Sequence, residues 1–131
     1  PIVLVSAGVG LTQMLPMLHQ AVAEHCDRSV WFVHGARNGR HHALRNEVTG
    51  LVNTNRNAAR QIYYSAPEEK DLIGQDYDFE GRITLDGLLA LNAGQDAVYM
   101  LCGPAGFVND LSAGLEAAGV PREQIHFETF G

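Results

Sequence analysis

The sequence predicts an α/β protein built on an open, doubly wound five-stranded parallel sheet. Apolar, β-branched runs alternate with stretches of helical periodicity five times over. One run, Ser29-Val30-Trp31-Phe32-Val33-His34, is apolar at nearly every position, as a strand covered on both faces must be. The first run, Val3-Leu4-Val5, ends in Ser6-Ala7-Gly8-Val9-Gly10 and a helical pattern follows at once, which marks a strand, a tight turn and a helix N-terminus.

The elements follow in order. After the glycine turn, Met14, Leu15, Leu18, Ala21, Val22 and His25 recur at helical spacing, and the methionines read as core. Pro16 is tolerated only in a first turn, so this helix is expected to begin close to Thr12 or later, with Thr12 available as its N-cap. The second strand ends in Gly35-Ala36-Arg37-Asn38-Gly39-Arg40, and Leu44, Val48, Leu51 and Val52 mark the next helix. Gln61–Ser65 is the third strand, residues 66–81 a long loop, and Thr84–Leu91 a short helix capped by Thr84. Ala97–Cys102 is the fourth strand, stopped by Gly103-Pro104, with Pro104 suited to the first helical position. Phe107, Val108, Leu111 and Leu115 carry that helix to Gly119 and Pro121, and Ile125–Phe130 is the fifth strand.

A chain of 131 residues, 46% hydrophobic and 18% charged, has the composition of one ordinary globular domain. No apolar run reaches the roughly 20 residues of a membrane span, and no basic-then-apolar leader precedes the first strand, so a soluble, cytoplasmic protein is expected. Cys26 and Cys102 are expected to be free thiols. Pro1 standing directly before a strand suggests a domain excised from a longer chain.

The net charge of −6 is unevenly spread. Arg28, Arg37, Arg40, Arg45, Arg56 and Arg60 stand against Glu47 alone, whereas residues 66–81 carry six acids against Lys70. The acidic loop is expected to be solvated surface. An acidic chain whose basic segment lacks interleaved aromatics is not a nucleic-acid binder, but a local anionic ligand fits the basic stretch. His34, His41 and His42 lack the Cys or carboxylate partners of a metal shell, and no metal is expected.

In open parallel sheets, ligands bind beyond the carboxyl ends of the strands. Those ends carry Gly8-Val9-Gly10, His34 to Arg37, Cys102-Gly103-Pro104 and Glu128-Thr129-Phe130, which are expected to converge on one cleft. Gly8 and Gly10 lack Cβ, so a pyrophosphate can approach their peptide groups and the N–H donors of the helix that follows.

Together, Ser6-Ala7-Gly8-Val9-Gly10-Leu11-Thr12, His34-Gly35-Ala36-Arg37-Asn38, Asp76-Tyr77-Asp78-Phe79, Cys102-Gly103-Pro104 and Ile125 to Gly131 resemble the nicotinamide-binding domain of ferredoxin reductase-like flavoenzymes. The His-Gly-Ala-Arg-Asn segment and the Glu-x-Phe-Gly ending point to bacterial flavohaemoglobins, and the resemblance covers essentially the whole chain. Gln13 departs from the proline usual there.

The resemblance implies a Rossmann-like sheet of order 3-2-1-4-5 and an NAD(P)H-binding reductase domain over residues 1–131. It implies an FAD-binding barrel and a globin domain carrying haem b upstream in the same chain. Hydride would pass from NADH or NADPH to FAD and electrons on to haem for nitric oxide dioxygenation, with little turnover by this domain alone. Gly8, Val9, Gly10, Leu11, Thr12 and Gln13 would hold the pyrophosphate, with Ser6 and His34 in the same constellation. Arg37 would meet the adenosine ribose, where the absence of an acid leaves both NADH and NADPH open. Cys102, Gly103 and Pro104 would flank the nicotinamide, and Cys102 and Glu128 would be the catalytic pair. Phe130 would pack on the flavin ring, and Thr129 and Gly131 would belong to the cofactor-binding set beside it. A reductase serving an iron–sulfur or oxygenase partner, and a non-catalytic nucleotide-binding module, are the alternatives.

Overall fold

The computed structural model describes residues 1–8, 11–24, 29–39, 45–53 and 57–130. Six strands, β1 (Ile2–Ala7), β2 (Val30–Ala36), β3 (Ala58–Tyr64), β4 (Phe79–Glu80), β5 (Val98–Pro104) and β6 (Ile125–Phe130), make one parallel sheet of order β4-β3-β2-β1-β5-β6. The helices are α1 (Leu11–Glu24), α2 (Arg45–Asn53), α3 (Leu85–Leu89) and α4 (Ala105–Ala117).

The parallel α/β architecture agrees with the sequence, but the strand count does not. Five strands in the order 3-2-1-4-5 become six, because Phe79 and Glu80 pair with Tyr63 and Tyr64 outside β3. Two residues carry no readable periodicity, so only tertiary pairing makes them a strand.

Alternation along each strand builds two cores, one on each face. Val3, Val5, Val33, Tyr99 and Leu101 pack with Val108, Leu111 and Leu115 of α4 and Leu88 of α3. Leu4, Phe32, Ile62 and Cys102 pack on the other face with Met14, Leu15 and Leu18 of α1 and Val48 of α2. Burial of a side chain such as Phe32, which is 0% exposed, is worth about 1.5–3 kcal/mol.

Helix ends differ from expectation by a residue or two. α1 begins at Leu11, so Thr12 lies inside the first turn instead of capping it, and Pro16 falls in the second turn on the exposed side. Pro16 has no N–H to give the carbonyl of residue 12. Pro104 ends β5 and precedes α4, which starts at Ala105. Thr84 does cap α3, its Oγ1 accepting from the Gly87 N–H at 3.1 Å. α4 ends at Ala117, and two residues on, Gly119 with φ +106° lets its N–H reach the Glu116 carbonyl (3.1 Å) and the Val120 N–H reach that of Leu115 (3.0 Å).

The acidic loop is not simply solvated. Asp78 Oδ2 accepts from the Ile62 N–H at 2.9 Å while its own N–H donates to the Ile62 carbonyl at 2.8 Å. Asp71 Oδ2 accepts from the Glu68 N–H (2.8 Å), and Asp76 Oδ2 from that of Leu72 (2.8 Å). Tyr77 stacks on Tyr64, and Phe79 on Tyr63, both at 4.9 Å between centroids. Carboxylates and aromatics thus fold the loop back along the outer side of β3. Cys102 is a free thiol, whereas Cys26 lies outside the described residues. No helix among the described residues is long and apolar enough to cross a membrane.

Candidate functional site

From β1 the chain winds one way through β2 and β3, then returns to lay β5 and β6 on the other side of β1. The carboxyl end of β1 is therefore the place where no connecting loop crosses the sheet, and a crevice must open there. A cleft of about 380 Å³ occupies it, lined by Ala7, Gly8, Gly35, Ala36, Arg37, Ser65, Gly81, Arg82, Ile83, Pro104 and Phe107.

The cleft wall combines small residues, the apolar side chains of Ile83, Pro104 and Phe107, and two arginines. Gly8 has φ +60°, a conformation that disfavours a side chain, and a Cβ built there meets nothing within 4 Å, so the space beside its Cα is open. Gly103 stands behind the wall: a Cβ there would lie 2.9 Å from Phe107 Cδ2. Arg37 and Arg82 are exposed at the rim. Such a surface suits an elongated anion, bound through peptide N–H groups and guanidinium charge.

The predicted residues divide between the two faces of the sheet. Gly8, Arg37 and Pro104 line the cleft. Ser6, His34, Cys102 and Glu128 form a row across β2, β1, β5 and β6, each paired in register with the next, on the face covered by α1. Ser6 and His34 are both 0% exposed and hydrogen-bonded, Oγ to Nδ1, at 2.7 Å. Cys102 is 2% exposed, and burial, with the Glu128 charge second, pushes its thiol above the usual range. A thiol shifted this way holds its proton more firmly than an exposed cysteine does. Glu128 and Thr129 are exposed.

A second opening, about 120 Å³, lies beside this row and is lined by Met14, Met17, Met100, Leu101, Cys102, His126, Phe127 and Glu128. The expected single cleft is thus two openings on opposite faces of one sheet edge. Val9, Gly10, Arg40 and Gly131 lie outside the described residues, as do the side chains of Leu11, Thr12, Gln13 and Phe130. A larger hollow of about 640 Å³, near Tyr99 and Gln124, lies at the opposite, amino ends of β5 and β6.

Ser65, Gly81, Arg82, Ile83 and Phe107 also line the cleft and were not anticipated. Ser65 follows the third strand, so the rule that pointed to the other strand ends finds it too. Gly81, Arg82 and Ile83 follow β4, a strand invisible in the sequence.

Comparison with known proteins agrees with this geometry. The model of the oxidoreductase NAD-binding domain family matches residues 4–113. The chain is 39% identical over 131 residues to the flavohemoprotein of Bacillus cereus and 40% over 132 residues to that of Xylella fastidiosa. All of this chain is covered, but only 33% and 32% of those relatives, so it spans about a third of their length. Among solved structures, the flavohemoglobin of Malassezia yamatoensis with bound FAD and heme superposes with a TM-score of 0.83 at 27% identity, over 100% of this chain and 32% of that one. The Flavohem-like FAD/NAD binding domain of nitric oxide dioxygenase from Vibrio cholerae gives 0.82 at 30%, over 100% and 51%. With a cleft at the switch point of the sheet and a family match over most of its length, the chain belongs to the oxidoreductase NAD-binding domain family.

Proposed function

We propose that this chain is the nicotinamide-binding part of a ferredoxin reductase-type flavoenzyme of the flavohaemoglobin kind, in which an FAD-binding barrel and a haem-bearing globin domain precede it. The observation that carries the reading is the cleft beyond β1, lined by Gly8 with open space beside its Cα and by the exposed Arg37 and Arg82. Those features fit a pyrophosphate-linked dinucleotide: the missing side chain at Gly8 leaves room for the phosphates, and the cations offset their charge.

Residues Gly8 to Gln13 (Gly8, Val9, Gly10, Leu11, Thr12 and Gln13) hold the pyrophosphate at the start of α1, and Arg37 meets the adenosine ribose. Cys102, Gly103 and Pro104 flank the nicotinamide ring. Cys102 acts there as a small neutral wall, and Ser6 and His34 fix the strand ends behind it. Glu128 sets the charge beside the reacting rings, with Thr129, Phe130 and Gly131 on the flavin side. Bound NAD(P)H supplies a hydride to FAD, whose electrons pass to haem for nitric oxide dioxygenation. The protein side of that chemistry is positioning: no base among these residues has to move a proton. The reading places the whole protein in the cytoplasm.

Calorimetric titration with NADH, NADPH, NAD+ and ADP tests it, repeated with Gly10→Val and Arg37→Ala. Binding lost in Gly10→Val supports the nucleotide turn, and a loss in Arg37→Ala confined to NADPH assigns the 2′-phosphate contact. Absence of nucleotide binding in the full-length protein overturns the reading in favour of a non-catalytic module.

A further inference from the structure

The chain has three methionines, Met14, Met17 and Met100, and all three line the 120 Å³ opening beside Cys102. Met14 and Met17, three residues apart on α1, share a helix face. Met100 and Cys102, two apart on β5, share a sheet face, which His126 and Glu128 continue onto β6 in register. Met14 and Cys102 are 1% and 2% exposed, Met17 and Met100 half-buried, and His126 and Glu128 exposed, so the sulfur-bearing residues are the more deeply buried part of the lining and the polar ones the more exposed part.

Methionine is ordinary packing material, and one at this place would need no comment. Every methionine of the chain meeting a thiol around one open volume is a different matter, because leucine fills such space equally well. Thioether and thiolate sulfur are soft donors that select Cu(I). Zinc draws on Cys, His and carboxylates, and among the described residues no three of those converge as a metal-holding group.

We propose that this pocket binds a soft monovalent cation, Cu(I), through the thioethers of Met14, Met17 and Met100 and the thiolate of Cys102. The step is an exchange without electron transfer: the S–H bond of Cys102 breaks, the sulfur–metal bond forms, and the proton leaves to solvent. Uptake releases one proton per ion, and affinity rises about tenfold per pH unit below the thiol's titration.

The test is an anaerobic titration of the 131-residue chain carrying Cys26→Ser, which leaves Cys102 as its one thiol, with Cu(I) presented as its bicinchoninate complex. One ion per chain is expected to be withdrawn, with one proton released. The triple variant Met14→Leu, Met17→Leu, Met100→Leu should bind roughly a hundredfold more weakly, and Met17→Leu alone roughly tenfold. Should the triple variant fail to fold, the half-buried Met17→Leu decides by itself. Failure to withdraw Cu(I), uptake unchanged by Met17→Leu, or displacement of Cu(I) by equimolar Zn(II) would each overturn the proposal.

Discussion

Ser6 Oγ stands 2.7 Å from His34 Nδ1, with both side chains wholly buried on the α1 face of neighbouring strands. The bond satisfies two polar groups that water does not reach, just below the ends of the strands that form the cleft. Ser6→Ala should therefore cost about 1–3 kcal/mol, the penalty of stranding a buried ring nitrogen. Urea unfolding reads it as a lower midpoint at unchanged slope. A loss under about 0.5 kcal/mol would show the pair to be dispensable.

Alkaline stability follows from three raised groups. Burial holds the phenols of Tyr63 and Tyr99 and the thiol of Cys102 above their usual ranges, with the charges of Asp78 and Glu128 adding to Tyr63 and Cys102. Folded chains then carry more of these protons than unfolded ones, so this stability is intact at neutral pH and is lost as pH climbs from about 9 through the raised values. Thermal melts between about pH 8 and 11 should show a falling Tm. Tyr63→Phe should make that fall shallower; an identical slope would remove Tyr63 from the account.

Asp78 joins the acidic loop to β3 through two bonds with the backbone of Ile62. Asp78→Ala should destabilise by about 1.5–3 kcal/mol, the range for a bond to a charged acceptor, whereas Asp78→Asn keeps an acceptor and should lose less. Hydrogen exchange at the Ile62 amide is the direct readout, with protection expected to fall in the alanine variant only.

Gly103→Ala should disturb the cleft from behind. The new methyl would sit 2.9 Å from Phe107 Cδ2 and 3.5 Å from Ala7 Cβ, so Phe107 must move. Overpacking of this kind costs about 1–3 kcal/mol. Nucleotide titration should show weaker binding than Gly106→Ala gives, since a Cβ at Gly106 meets nothing within 4 Å.

The fold was legible because buried parallel strands are written as near-continuous apolar runs: Val30 to Val33 and Val98 to Leu101 declare themselves without alignment or partner. Gly8 and Pro104, marked by the same local signals at strand ends, do line the cleft. What stayed hidden is set by register and tertiary pairing. Nothing in the composition of residues 66–81 says that Asp78 is bonded to Ile62, or that Phe79 and Glu80 make a strand. Nor does spacing reveal that Ser6, His34, Cys102 and Glu128 lie in one row on the side of the sheet away from the larger cleft, since a one-residue slip in any strand would have moved its member to the opposite face.

The returning acidic loop also governs how the protein behaves in company. A seven-residue outer strand such as β3 offers a template on which another copy could extend the sheet. Here Asp78 occupies both backbone groups of Ile62, Gly81 donates to the Tyr64 carbonyl, and Arg60 is tied to the Gln75 carbonyl at 2.7 Å. Carboxylates along the same strip repel a like-charged neighbour. Residues 66–81 thus act as a guard against edge-to-edge aggregation, and a version trimmed to a minimal turn would trade chain length for colloidal stability.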